Sequence, residues 1–256
     1  MSDKQEREKR KEARLQEESK VSSKDRRARI LQLSAGAVFL VVAVVLVLIV
    51  VNAASNGDSG DSNLEEVGHV DELLSGIPQE DLVLGDPSAK VELIEFGDLQ
   101  CPVCKAYSEK ILPQVIERKI ATGAAKLVFR NFPIISEESF PAGAAAIAAG
   151  AQGRGWNYIE LFYRNQGKEG SGYVTDEFMT SIAKGAGVKD IQQWNSDRKS
   201  PKTVAEVEKT YEEASGTFGF EGTPSFLVKG PNTNGYEKIE LTESPESFER
   251  AIDEAA

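Results

Sequence analysis

The sequence has few of the side chains that build metal centres, because its 256 residues include only two cysteines and one histidine. Tetrahedral zinc requires about four ligands, and Cys101, Cys104 and His69 are too few to supply them. A purely structural disulfide is disfavoured as well, since a Cys101–Cys104 bridge encloses only two residues and constrains little of the unfolded chain. We therefore expect no bound metal and no cofactor.

Beyond its first 29 residues the chain also lacks net positive charge. The whole protein has a net charge of −11, and its first 29 residues carry eleven Lys and Arg against seven Asp and Glu, which leaves about −15 on the remainder. Binding of nucleic-acid phosphates needs charge of the opposite sign. We therefore expect no nucleic-acid partner.

Charged residues are absent from Ile30 to Gly57, and the stretch from Ala35 to Val51 is almost wholly apolar. An α-helix needs roughly 20 apolar residues to cross the hydrocarbon core, so residues 30–51 are predicted to form a single transmembrane helix in the lipid bilayer. Basic residues stand immediately before this segment and Asp58 follows it. The positive-inside rule then places the N-terminus in the cytoplasm and the rest of the chain outside the membrane.

The alternative to an anchor is a cleaved signal peptide, since the small residues Ala53 and Ala54 follow the apolar run. The length of that run and of the charged head favours an uncleaved anchor. Both interpretations export the body of the protein to a compartment in which a disulfide can persist. The predicted regions are a charged cytoplasmic tail (1–29), the transmembrane helix (30–51), a flexible extracytoplasmic linker (52–80) and a folded domain (81–256).

The two cysteines stand together as Cys101-Pro102-Val103-Cys104, after an apolar run and before a helical pattern. Pro102 suits the first turn of a helix, because its fixed φ and missing N–H cost nothing there. The spacing places both thiols at one helix N-terminus, where a thiolate is stabilised and a disulfide can open and close. This arrangement predicts a redox pair.

The hydropathy pattern of the folded domain alternates between strands and helices. Residues 91–96 and 126–132 are typical of strands, and residues 106–120 between them show helical spacing with a kink expected at Pro113. From about residue 136 to 219 the pattern is helical throughout. Helices are predicted there at 142–151, 156–165, 176–186, 189–194 and 203–215, followed by strands at 225–229 and 238–241 and a last helix at 245–255. Four aromatic residues of the second helix are expected in the core: Trp156, Tyr158, Phe162 and Tyr163.

Three motifs in this order resemble those of the DsbA-like thiol:disulfide oxidoreductases, particularly membrane-anchored bacterial members. They are EFGDLQCPVC (95–104), FRNFP (129–133) and GTPSF (222–226). The resemblance covers roughly residues 81–256. It implies an α/β fold in which a thioredoxin-like sheet is interrupted by an inserted all-helical subdomain (about 136–219), here preceded by a single transmembrane helix.

The two thiols are expected to differ. A cysteine at the start of a helix faces unpaired N–H groups and the positive end of the helix dipole, so we expect Cys101 to be exposed, reactive and low in pKa. Cys104, one turn deeper, is expected to be shielded and to act as the resolving thiol. A stabilised Cys101 thiolate makes the disulfide form a better oxidant. The best-known family members carry a histidine between the cysteines where this chain has Val103, which predicts a weaker oxidant than the strongest of them.

The resemblance implies further site residues. Glu95 matches a partly buried acidic residue of the family, which implies a role in moving the proton of the buried thiol. The strand pattern leaves open whether Glu95 is instead an ordinary exposed or salt-bridged glutamate. Thr223-Pro224 is similar to the cis-proline loop of the family, which faces the CxxC pair and offers backbone groups to an extended substrate. Together with Pro102-Val103, this dipeptide is expected to contact the substrate.

Three functions are consistent with these features. The first is a disulfide oxidase, which the resemblance implies would donate its disulfide to exported proteins with cysteine thiols and be reoxidised by a quinone-linked membrane partner. The second is a reductase or isomerase of the same fold. The third is a non-catalytic module that binds peptides in a thioredoxin-like groove.

Overall fold

The computed structural model describes residues 64–241 and 244–256 of the chain. The strands of this part are β1 (Gln79–Glu80), β2 (Val83–Leu84), β3 (Glu92–Gly97), β4 (Lys126–Asn131), β5 (Ser225–Lys229) and β6 (Glu237–Ile239). The helices are α1 (Val67–Leu73), α2 (Pro102–Lys110), α3 (Leu112–Val115), α4 (Ser139–Gly150), α5 (Gly155–Arg164), α6 (Asp176–Gly185), α7 (Ile191–Asp197), α8 (Pro201–Glu212) and α9 (Pro245–Ala255). Helices α3 and α8 continue into π-helical turns at Ile116–Ile120 and Glu213–Thr217.

The strands form one mixed sheet in the order β1-β2-β4-β3-β5-β6. Strands β3 and β4 are parallel, and the other neighbours are antiparallel. A parallel pair needs a crossover connection, which here consists of α2 and α3. The first cysteine therefore lies just past the carboxyl end of β3, a central strand of the sheet.

The two faces of the sheet carry different cores. Side chains alternate along a strand, so Leu93 of β3 joins the large core that contains both cysteines, whereas Ile94 and Phe96 join a smaller core on the opposite face. By the same alternation Glu95 lies on the face of Leu93. The sheet therefore directs a carboxyl group toward the side on which the cysteines lie.

The helical insertion predicted between residues 136 and 219 is confirmed, because α4 to α8 lie between β4 and β5. Helix α5 is buried at every position, and the four aromatic side chains predicted to be core are at most 1% exposed. The predicted bounds of β5 and α9 agree with the structure, and those of the other predicted elements differ by a few residues.

The folded part begins earlier than the sequence pattern indicates. Helix α1 and strand β1 lie within residues 52–80, the range predicted as flexible linker, and Val70 of α1 is only 2% exposed against the main core. This corrects the predicted boundary. A seven-residue helix is too short for its hydrophobic periodicity to be distinct. The two-residue strands β1 and β2 are formed by pairing, β1 with β2 and β2 with β4, rather than by local preference.

The kink predicted at Pro113 is a break between two helices. Helix α2 ends at Lys110, and Ile111 between the helices has φ −105° and ψ −56°. Pro113 occupies the second position of α3, where its missing N–H costs little. The predicted continuous helix over residues 106–120 is therefore divided in three, the last part being the π-helical turn.

The predicted charged tail (1–29) and membrane helix (30–51) lie outside the described residues. Within residues 64–241 and 244–256, no helix combines the length and the apolar character needed to cross a bilayer.

Candidate active site

The loop that connects β3 to α2 is held by the buried side chain of Asp98. One carboxylate oxygen accepts a hydrogen bond from the N–H of Gln100 at 2.8 Å, and the other accepts from the N–H groups of Ile134 and Ile135, each at 2.8 Å. Gly97 precedes this loop, and a Cβ atom there would lie 2.6 Å from the ring of Phe129. Packing against Phe129 therefore requires a glycine at the end of β3.

Cys101 is the N-cap residue of α2, with φ −74° and ψ 120°. Its Sγ accepts a hydrogen bond from the backbone N–H of Cys104 at 3.4 Å, and both cysteines are free thiols in this structure. The expectation of an exposed Cys101 is wrong, because the residue is only 4% exposed. The solvent-facing positions of the motif are instead Pro102 and Val103, the latter 48% exposed.

The pKa of Cys101 is lowered from 9.0 to about 6. Hydrogen bonding from the Cys104 side chain is the largest cause, burial opposes it, and the Thr223 side chain and the backbone N–H groups of Cys104 and Val103 lower the pKa further. The thiol also lies 3.4 Å from the carbonyl oxygen of Thr223, a contact that favours the protonated form. The donors outweigh both opposing effects, and the shift has the direction predicted from the sequence.

Cys104 lies in the opposite environment, since it is completely buried. Burial is the main reason that its pKa is raised well above 9.0, and the hydrogen bond with Cys101 and the nearby charges of Cys101 and Glu95 raise it further. A thiolate at this position is therefore strongly disfavoured. At neutral pH the motif holds one thiolate and one thiol.

Glu95 is also completely buried, and neither of its carboxylate oxygens has a hydrogen-bond partner among the described residues. Burial raises its pKa well above 4.5, and the negative charges of Glu160 and Cys101 act in the same direction. The alternative of an exposed or salt-bridged glutamate is thus excluded. Glu95 therefore holds its proton more tightly than an ordinary carboxyl group, and it interacts electrostatically with both thiols.

A second buried carboxylate belongs to the same region and has no counterpart in the sequence predictions. Glu160 of α5 is 0% exposed and pairs with Arg164, whose side chain is 2% exposed, and Ser108 of α2 donates a hydrogen bond to Glu160 Oε2 at 2.9 Å. Burial raises the pKa of Glu160, and Arg164 opposes that shift. Arg164 also forms an ion pair at 3.0 Å with Glu66, which is 55% exposed. The available sequence signal was a Glu and an Arg four residues apart within an otherwise apolar helix.

The loop before β5 completes the site opposite the cysteines. The Thr223–Pro224 peptide bond is cis, and the carbonyl oxygen of Thr223 lies next to Cys101 Sγ. Pro224 is buried, whereas Thr223 is half-buried. The structure therefore brings together Cys101, Cys104, Glu95 and Thr223-Pro224, residues that are up to about 130 positions apart in the sequence.

The helical insertion also contacts the loop of the first cysteine. The Gln166 side chain donates hydrogen bonds to the carbonyl oxygens of Leu99 at 2.7 Å and Cys101 at 3.2 Å. The Tyr163 hydroxyl lies 3.4 Å from the carbonyl of Asp98. No sequence pattern pointed to Gln166, because a single glutamine after a helix has no distinctive spacing.

Throughout residues 64–241 and 244–256, no group of three or more His, Cys, Asp or Glu side chains could hold a metal ion.

A dithiol at a helix N-terminus, beside a central strand and opposite a cis-proline loop, defines a redox protein of the thioredoxin type. The family model described as thioredoxin matches residues 78–254. A probable disulfide bond formation protein D from Bacillus cereus is 32% identical over 154 residues, which are 59% of this chain and 71% of that protein. The chain belongs to the thioredoxin family and, within it, to the DsbA-like thiol:disulfide oxidoreductases.

Solved structures show the same fold. The crystal structure of oxidised BdbD from Bacillus subtilis superposes with a TM-score of 0.60 at 22% identity, covering 71% of this chain and 96% of that chain. Wolbachia pipientis alpha-DsbA1 gives a TM-score of 0.58 at 21% identity, with 73% and 95% of the two chains covered. The protein is thus a thiol:disulfide oxidoreductase with an α/β, thioredoxin-like fold and a helical insertion.

Proposed function

We propose that this thiol:disulfide oxidoreductase works as an oxidase, donating a Cys101–Cys104 disulfide to exported proteins that contain cysteine thiols. The observation that carries the proposal is that the pKa values of the two thiols are shifted in opposite directions. That of Cys101 is lowered to about 6, and that of Cys104 is raised well above 9.0. Stabilising one thiolate stabilises the reduced enzyme, so that the disulfide form gives up its oxidising equivalents more readily.

The size of this effect depends on pH. At pH 7 a thiol with a pKa of about 6 is about 90% ionised, which stabilises the reduced form by roughly 1.4 kcal/mol relative to an unperturbed thiol. For a two-electron couple this corresponds to about 30 mV. The thiolate thus contributes a moderate increase in reduction potential, in agreement with a motif that lacks histidine.

The proposed reaction begins when a substrate thiolate attacks Cys101 Sγ and forms a mixed disulfide. The Cys101–Cys104 bond breaks, and Cys104 leaves with the electron pair. Because the pKa of Cys104 is raised, this sulfur takes up a proton, and we assign its delivery to Glu95, the buried carboxyl group with a raised pKa that interacts with it. A second substrate thiolate then attacks the substrate sulfur of the mixed disulfide and releases Cys101 as a stable thiolate.

Substrate binding is assigned to Thr223-Pro224 and to the exposed dipeptide Pro102-Val103. The Thr223 backbone lies beside Cys101 Sγ at the start of β5, where an extended peptide would pair as an added strand. Val103, 48% exposed, offers an apolar surface on the other side of the thiol. This arrangement favours recognition of extended, unfolded segments around a substrate cysteine.

The location of the protein is part of the proposal. Residues 30–51 contain no charged side chain and would anchor the protein in the cell membrane, with the N-terminus in the cytoplasm and the catalytic domain outside. An anchored oxidase would be reoxidised by a quinone-linked disulfide-forming partner in the same membrane. Disulfides formed in that compartment would persist.

The test is a redox titration of the full-length protein, purified in detergent, against glutathione buffers. We expect a reduction potential above the roughly −270 mV of thioredoxin. A value near −270 mV would overturn the oxidase assignment and favour a reductase.

Two cysteine variants test the site itself. Cys101→Ser should abolish oxidation of a reduced model substrate. Cys104→Ser cannot form the Cys101–Cys104 disulfide, but its Cys101 thiolate should attack a disulfide-containing substrate, release one substrate thiolate and accumulate the mixed disulfide, because the resolving thiol is missing. Full activity of Cys101→Ser would refute Cys101 as the sulfur that exchanges with the substrate, and a peptide-binding function retained without redox turnover would support the binding-module alternative.

A further inference from the structure

The segment that follows α5 reaches the loop of the first cysteine through one amide group. Asn165 ends the helix, and the half-buried Gln166 comes directly after it. Gln166 Nε2 donates to the carbonyl oxygens of Leu99 at 2.7 Å and Cys101 at 3.2 Å. A single side chain of the helical insertion therefore binds two carbonyl groups of this loop, that of the residue before Gln100 and that of the residue after it.

These contacts add to a backbone that is already well defined. The N–H of Cys101 donates to the carbonyl of Asp98 at 3.0 Å, and the N–H of Lys105 donates to the carbonyl of Cys101 at 3.1 Å. Gln166 is the side chain that joins the turn before the cysteine to the first turn of α2. The φ and ψ angles of Cys101, which place Sγ 3.4 Å from the N–H of Cys104, are thus held from the insertion side.

A second contact fixes the same segment. The N–H of Gly170 donates to Gln100 Oε1 at 3.2 Å, and the amide nitrogen of Gln100 donates to the hydroxyl groups of Ser136 and Ser139 at 2.6 and 3.0 Å. Gln166 is therefore part of an ordered connection between the insertion and the loop.

We propose that Gln166 is a positioning residue for the redox reaction, holding the Leu99 and Cys101 carbonyl groups so that the backbone presents Cys101 Sγ to the N–H of Cys104. The inference rests on the proposed function, in which Cys101 is the sulfur that exchanges with the substrate. Gln166 also neutralises part of the negative potential of the Cys101 carbonyl, which lies on the same residue as the ionising sulfur. Both effects favour the thiolate. The helical insertion thereby takes part in the chemistry through backbone hydrogen bonds.

The test replaces the amide in the reduced full-length protein. Gln166→Leu removes the donor at similar size, and Gln166→Glu replaces it with a group that repels both carbonyl oxygens. We expect the pKa of Cys101, measured from the pH dependence of its alkylation by mass spectrometry, to rise by about one unit for the leucine variant and by more for the glutamate variant. The reduction potential should fall in the same order.

A matched control exists within the insertion. Gln152 is also half-buried and donates from Nε2 to a backbone carbonyl, that of Asp190 at 2.9 Å, far along the chain from the cysteines. Gln152→Leu removes this bond together with the one that Gln152 Oε1 accepts from the N–H of Asp190 at 3.0 Å, and it should leave the pKa of Cys101 unchanged. The groups that act on Cys101 from its surroundings, namely Cys104, Glu95, Tyr163 and Thr223, are the same in all variants.

The outcomes separate this inference from the proposed function. If both Gln166 variants show the Cys101 pKa of the unsubstituted protein, the positioning role is refuted, whereas full activity of Cys101→Ser would refute Cys101 as the exchanging sulfur instead. Alkylation of the buried Cys104 reports loss of folding. Should Gln166→Leu unfold, Gln166→Asn, which keeps the amide but shortens its reach, provides the same measurement.

Discussion

The surroundings of Cys101 and Cys104 differ more than one turn of helix would suggest. Cys101 lies in a donor-rich loop, where N–H groups of the first turn of α2 point at its sulfur. Cys104 lies in an interior that it shares with the buried carboxyl groups of Glu95 and Glu160. The comparison shows that a helix N-terminus stabilises only the thiolate at its cap, and that the interior beneath it determines the behaviour of the second thiol.

The interior around Cys104 combines several acidic groups with few hydrogen-bond donors. Glu95 is coupled to Glu160, to Cys101 and to Cys104, and only Glu160 has a cationic partner, Arg164, among the described residues. Such a region keeps Cys104 protonated in the reduced state. The following predictions test how far the two regions differ.

The largest expected effect comes from removing the cation of the interior. Arg164→Met would leave the Glu160 carboxylate buried without its partner, and breaking a buried pair in this way costs about 3–5 kcal/mol. The free energy of unfolding, measured by urea denaturation, should fall by that amount. The double variant Glu160→Gln/Arg164→Met should recover most of the loss.

The control for this variant is Lys209→Met, which breaks an exposed pair with Glu206 (side chains 70% and 48% exposed) and should cost less than about 1 kcal/mol. An Arg164→Met protein as stable as the unsubstituted one would mean that Glu160 is uncharged.

Glu95→Gln should change how stability depends on pH. A carboxyl group with a raised pKa keeps its proton in the folded state after the unfolded chain has lost it, so stability falls as pH rises above about 4.5, by about 1.4 kcal/mol per pH unit. The loss continues until the pH reaches the raised pKa of Glu95.

The glutamine variant lacks this loss, so urea denaturation should show equal stability of the two proteins near pH 4 and a growing advantage of the variant above it. The titratable groups around this carboxyl group remain in both proteins. They are Cys101, Cys104, Asp98, Tyr163, Glu160, Arg164 and His69. Parallel stability curves would show that Glu95 ionises normally.

The reduction potential should respond to pH with two slopes. Below the Cys101 pKa of about 6, reduction takes up two protons and the potential falls by about 59 mV per pH unit. Above it one proton is taken up and the slope is about 30 mV. Glutathione equilibria between pH 5 and 8 measure both slopes. A slope of about 59 mV through pH 8 would show that Cys101 is not a thiolate.

The smallest expected effect comes from adding charge on the exposed side. Val103→His places an imidazolium near the Cys101 thiolate, which should lower the pKa of Cys101 and raise the potential at pH 7 by about 30 mV or less. The effect should fade above the ordinary histidine pKa of about 6.5. Val103→Gln, without a charge, serves as the control, and an equal change in both variants would assign the effect to size rather than charge.

Local sequence patterns identified much of this molecule. The bounds of the strand at 225–229 and of the helix at 245–255 are predicted to the residue, because the hydrophobic pattern is distinct in both segments. The CxxC motif and Pro102 together predicted the helix N-terminus and the direction of the Cys101 shift. Helix α1 and strands β1 and β2 were missed, since such short elements depend on contacts with distant residues.

The sequence by itself determined the redox class, because two adjacent thiols at a helix start permit little other chemistry. Only the tertiary structure decided that Cys101 is nearly covered, that Glu95 is buried with no hydrogen-bond partner in the part of the chain that the structure describes, and that Glu160 and Gln166 reach the site. The physical reason is that burial and hydrogen-bond partners arise where separate elements pack together. Neighbouring residues along the chain do not encode which side chains will meet there.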